Sequence, residues 1–162
     1  MRILRGLELT AALAVALSTG AFANSNLGGA NEMAGAARPG SAQDFVVNVG
    51  DRVFFTDNQT DLAPLATAAL DRQAQWLRAY PTYTFMIEGH ADERGTREYN
   101  IALVASRAQN VRNYLISRGI DASRMRTISY GRERPVAVCN DESCWSQNRR
   151  AVTVLERKFL IP

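Results

Sequence analysis

The stretch from Tyr83 to Gly119 constrains the fold of this chain more than any other part of it. It opens with an aromatic and β-branched run, Tyr83 to Glu88, which reads as a strand. A charged loop follows: Gly89-His90-Ala91-Asp92-Glu93-Arg94-Gly95. Beyond it, Val104, Ala108, Val111 and Leu115 recur at helical spacing and predict the buried stripe of a helix running to about Arg118. Thr96 is placed to cap that helix, Glu98 to complement its N-terminal dipole, and Gly119 to stop it. A strand feeding directly into a long amphipathic helix commits the chain to helices packed on a sheet.

The flanks extend the pattern. Phe45 to Val49 predicts a short strand, and Asp51 to Phe55 a second with Val53 and Phe55 on one face. Thr56 to Asp61 is polar and turn-like. Pro64 suits the first turn of a helix in which Ala66, Leu70, Gln73, Ala74 and Leu77 face inward, ending near Tyr80-Pro81. Arg126 to Tyr130 predicts a further strand, Ser143 to Arg149 a short helix, and Ala151 to Glu156 a final alternating strand. The order is β-α-β-α-β-(α)-β, an α+β fold with two layers, spanning residues 44–157.

The remaining segments read differently. Arg2 and Arg5 precede an apolar run from Leu9 to Leu17 and then Ala21-Phe22-Ala23, the form of an export signal over residues 1–23, cleaved after Ala23 or left uncleaved, with a plain N-terminal tail as the alternative. The run is too short to span a bilayer comfortably. Residues 24–43, rich in Gly, Ala, Asn and Ser, predict a flexible linker, and 158–162 a short apolar tail. The net charge of +3 comes from interspersed acids and bases, which is no nucleic-acid footprint. Cys139 and Cys144 suit a short-loop disulfide in an oxidising compartment, with free thiols as the alternative. A metal site is not expected, because the lone His90 is far from both thiols.

The charged block carries the chemistry. Asp92 falls where the strand gives way to the loop, and Asn100, Leu103 and Arg107 share one helical face. A carboxylate accepts hydrogen bonds from an ammonium, and a guanidinium offers its planar fork to a carboxylate. The pair Asp92 and Arg107 therefore suits a zwitterionic amino-acid head group. The alternative is an ordinary Asp92–Arg107 ion pair with no ligand. Glu93, Arg94, Arg97 and Glu98 read as solvated charges, and His90 as a structural residue. The loop has neither of the glycine patterns that cradle phosphates.

The string from Gly89 to Asn100 resembles the signature of the OmpA-like peptidoglycan-binding domain family. Arg107-Ala108, Ile128-Ser129-Tyr130-Gly131, Glu133-Arg134-Pro135 and Gln147-Asn148-Arg149-Arg150-Ala151-Val152 extend the match over about residues 51 to 155, most nearly to the family's peptidoglycan-associated lipoprotein branch. The resemblance implies a mixed sheet with helices on one face. It implies non-covalent, non-enzymatic binding of peptidoglycan through the diaminopimelate of its stem peptide, held by Asp92 and Arg107. Leu103 and Asn100 match further pocket positions, the turn after the first strand points to Asp57 and Asn58, and Arg149 borders the pocket or braces the fold. It also implies TolB and the Tol system as partners, a role in outer-membrane integrity and cell division, a location in the periplasm at or near the outer membrane, and no cofactor. Lipoprotein members end their signal in an acylated cysteine; here Leu17-Ser18-Thr19-Gly20 runs into Ala21, which has no sulfur to acylate. Two other readings are a periplasmic scaffold acting mainly through TolB and a wall hydrolase using His90 and acidic residues.

Overall fold

The computed structural model describes residues 37–157; the signal-like segment 1–23, most of the proposed linker and the tail 158–162 lie outside the described residues. The elements run α1 (Ala42–Asp44), β1 (Arg52–Phe54), α2 (Pro64–Ala79), β2 (Tyr83–His90), α3 (Arg97–Ser117), β3 (Met125–Ser129), α4 (Glu142–Asn148) and β4 (Arg150–Arg157). The four strands form one mixed sheet in the order β1-β4-β2-β3. β4 is antiparallel to both β1 and β2, and β2 is parallel to β3 across the α3 crossover. This is the α+β arrangement expected.

The helices cover one face of the sheet. Val53, Phe85, Ile87, Met125 and Ala151 point from the strands into a core completed by Leu70, Ala74 and Leu77 of α2 and by Ala108, Val111 and Leu115 of α3. The α3 stripe is buried as its spacing predicts. The Thr96 side chain caps that helix by accepting from the Tyr99 amide. Gly119 takes the left-handed conformation that stops it, at φ 87°. Gln73 is the one polar member of the α2 stripe. It is fully buried because its amide donates to the Gly50 carbonyl (2.8 Å) and accepts from Thr153 Oγ1 (2.8 Å).

One expectation fails. Phe45 to Val49 is not a strand but a wide helical turn that continues α1. Its residues do not alternate: Phe45 is buried, whereas Val46 and Val47 are exposed. Phe45 is an anchor against Trp76, with ring centroids 5.0 Å apart, and the Gly50 amide closes the turn on the Phe45 carbonyl (2.9 Å). Asp44 holds the segment down by accepting from the amide of Gly40 (2.9 Å) and from Trp76 Nε1 (2.8 Å), while Tyr83 Oη donates to the Gly40 carbonyl (2.9 Å). Residues 40 to 43, at the end of the proposed linker, are thus tied to the domain.

Candidate functional site

Four segments converge at one end of the sheet: the β1–α2 loop, the β2–α3 loop, the first half of α3, and the junction of α4 with β4. Between them lies a cavity of about 290 Å³. Asp57, Asn58, Asp92, Asn100, Leu103, Arg107 and Arg149 all line it, so the fold brings together every residue the sequence nominated for binding. Arg94, Gly95, Ala91 and Tyr99 complete the lining.

Asp92 and Arg107 are not each other's partners. The Arg107 guanidinium is buried over the Phe55 ring, 5.0 Å from its centroid. Its Nε donates to the Gln59 carbonyl (2.7 Å) and its Nη2 to the Thr56 carbonyl (3.0 Å), which pins the β1–α2 loop. Its Nη1 is buried with no hydrogen-bond partner among the described residues. Burial and the nearby Arg149 charge lower its pKa to about 10, so it stays charged at neutral pH. A charged, buried, unsatisfied donor is costly, and a carboxylate placed in the cavity would relieve that cost.

Asp92 is surrounded by donors. Its Oδ1 accepts from the Arg94 amide (3.1 Å) and Arg94 Nε (3.1 Å); its Oδ2 accepts from Arg94 Nη2 (2.7 Å) and Arg149 Nη1 (3.2 Å). Burial raises its pKa, but these hydrogen bonds outweigh burial and hold it below the usual carboxylate range. Arg149 is itself buried and braced, donating to the Phe55 carbonyl (3.0 Å) and to Glu142. Asn100 ties the loop to α3 by donating to the Arg94 and Thr96 carbonyls (2.6 and 3.1 Å). Asn58 adopts a positive φ of 51° and accepts from the Tyr99 hydroxyl (3.1 Å), joining the two loops across the rim. Leu103 supplies the apolar wall.

Arg94 is the main residue that sequence reasoning missed. It is no free surface charge: it bridges Asp92 to Asp57, donating to Asp57 at 2.9 and 3.1 Å, and lies 4.1 Å over the Trp145 ring. Asp57 stands 37 residues back and Trp145 51 residues ahead, so no local spacing announces those two contacts. Glu142 opens α4 and Arg149 caps its C-terminal end seven residues later, so the helix sets the span between them. The Cys139–Cys144 disulfide forms as expected and closes a short loop at the start of that helix. His90 is buried outside the cavity lining, stacked on Tyr130 at 5.5 Å, and burial with the charges of Arg150 and Arg134 lowers its pKa to about 4.

An α+β domain with one four-stranded mixed sheet and a charged cavity at the β2–α3 loop defines the class. The chain belongs to the OmpA family, whose model matches residues 54–150. It is 70% identical over 122 residues to the peptidoglycan-associated lipoprotein of Rhizobium meliloti (strain 1021), covering 75% of this chain and 69% of that one. The Agrobacterium fabrum protein of the same name is 66% identical over 122 residues, with the same coverage of 75% and 69%. The crystal structure of the peptidoglycan-associated lipoprotein from Burkholderia pseudomallei superposes with a TM-score of 0.67 at 36% identity, covering 72% of this chain and all of that one.

Proposed function

We propose that this protein is a non-enzymatic peptidoglycan-binding module and that the cavity takes the diaminopimelate head group of the stem peptide. The observation that carries the reading is the unpaired, buried Nη1 of Arg107 in the same cavity as Asp92. A free amino-acid end presents a carboxylate and an ammonium on one carbon. The carboxylate satisfies Arg107 and the ammonium turns to Asp92, while Leu103 lies against the aliphatic chain. Asn100, Asn58, Asp57 and Arg149 shape the walls that orient it.

By likeness to its relatives, the protein acts in the periplasm at or near the outer membrane as a component of the Tol system. TolB is its protein partner, and its role is to support outer-membrane integrity and division. A hydrolase reading finds no support in the placement of His90, which is buried away from the cavity.

The test is co-sedimentation of the full chain with isolated peptidoglycan, repeated with Asp92→Ala and Arg107→Ala. Wild type is expected to sediment and both variants to stay in solution. Equal sedimentation of all three sinks the site assignment. Release of soluble muropeptides by the wild type would sink the non-enzymatic reading.

A further inference from the structure

We infer that Arg94 is an internal competitor for the ligand's ammonium, a tethered cation that must leave Asp92 before the cavity can be filled. The inference rests on the reading above and deepens it.

An ionised carboxylate has about four lone-pair positions. All four on Asp92 are taken: two on Oδ1 by the Arg94 amide and Nε, and two on Oδ2 by Arg94 Nη2 and Arg149 Nη1. An incoming ammonium finds no free acceptor, so one donor must go. The Arg94 amide is part of the loop backbone. Arg149 is buried and anchored at both ends, by the Phe55 carbonyl and Glu142. Only the Arg94 side chain, 36% exposed, is free to move.

The geometry also says where it goes. Arg94 Nη1 bonds to Asp57 alone, while Nη2 is shared between Asp57 and Asp92. Breaking the Asp92 bonds therefore leaves the fork on Asp57 intact. The guanidinium then tilts away from Asp92 about its Asp57 fork, at the rim beside Trp145. It remains beside the cavity as a positive cover, next to whatever carboxylate Arg107 holds. A ligand that offers an ammonium to Asp92 displaces Arg94 with a group of like charge; a neutral amide or an acetylated amine cannot. Arg94 thus sets a threshold that favours a free amino group.

The experiment is calorimetric titration of the full chain with a synthetic stem peptide containing meso-diaminopimelate, alongside the peptide acetylated on its side-chain amine. Arg94→Gln and Arg94→Lys are titrated in parallel after their melting curves confirm folding. Arg94→Gln is expected to bind the free peptide up to about five-fold more tightly, the range for losing one part-exposed ion pair. It is also expected to discriminate less against the acetylated peptide. Arg94→Lys, a point charge without a fork, is expected to fall between it and wild type. Unchanged or weaker binding by Arg94→Gln, with wild type binding normally, overturns the competitor role alone. Binding by neither protein removes the underlying reading and this inference with it. In a second readout, the NMR signal of Arg94 Nε–H is expected to move on peptide addition while that of Arg149 stays. An Arg94 signal that does not move also overturns the inference.

Discussion

Gly89 lies closer to Val104 than a residue with a side chain could: a Cβ on Gly89 would lie 2.3 Å from Val104 Cγ1 and 2.9 Å from the Val104 carbonyl oxygen. The second contact is with backbone and cannot be relieved by a side-chain rotation. Glycine at position 89 is therefore what lets α3 lie close on β2. Because Asp92 leaves from the end of β2 and Arg107 projects from α3, the same approach sets the width of the cavity.

Gly89→Ala is expected to lower stability by about 1–3 kcal/mol, the usual cost of overpacking, and to weaken peptidoglycan binding by pushing α3 outward. Denaturant unfolding and the sedimentation assay check the two effects together. Wild-type stability would show that α3 shifts without cost.

Arg107→Lys keeps the charge and removes the fork. A lysine carries its three hydrogens on one atom and lacks the spread of Nε and Nη2 that now reaches Gln59 and Thr56, so the β1–α2 loop loses at least one of its pins. A binding loss of about tenfold or more is expected, with a stability cost of about 1–3 kcal/mol from the orphaned carbonyls. Titration with the stem peptide and thermal melting measure them.

Acid is expected to destabilise the fold through His90. Its folded pKa of about 4 lies below the value of 6.5 of an unperturbed histidine, so the unfolded chain binds the extra proton first. The neutral ring's contribution is complete above pH 6.5 and is lost as pH falls toward 4. The full effect is at most about 3 kcal/mol. Stability measured between pH 7 and 4 is expected to fall, and His90→Phe is expected to flatten that part of the profile.

Reduction of Cys139–Cys144 is expected to cost about 2 kcal/mol in the chain-entropy view of a short loop. It is also expected to weaken binding. The disulfide fixes the start of α4, from which Glu142 braces Arg149 and Trp145 supports Arg94. The Cys139→Ser/Cys144→Ser double variant, compared with wild type in the titration, separates this role from side effects of reductant.

Periodic features were readable in advance. The stripes of α2 and α3, the Thr96 cap and the alternation of β4 each depend on a few neighbouring residues, and all appear where the pattern places them. The positions of Asp92 at a strand end and Arg107 on a helix face were readable too, whereas a joint role for them rested on the family resemblance and not on periodicity. Two features were not. The turn at Phe45 has one buried anchor and two exposed valines, and composition alone makes such a run look like a strand. The role of Arg94 depends on Asp57 and Trp145, which only the assembled sheet brings near, and a charge followed by glycine in a loop gives no sign of it.

The first strand of this domain lies against the last. β1 pairs with β4, the Phe55 amide donates to the Arg149 carbonyl (2.9 Å), and the cavity draws on residues from Asp57 to Arg149. β4 lies between β1 and β2 in the sheet, so the loops that carry Asp57 and Asp92 are not held side by side until the last strand is in place. A chain that ends before β4 is expected to lack the assembled cavity although it carries every residue that lines it. Strand order thus makes the cavity a property of the closed sheet, not of any one segment.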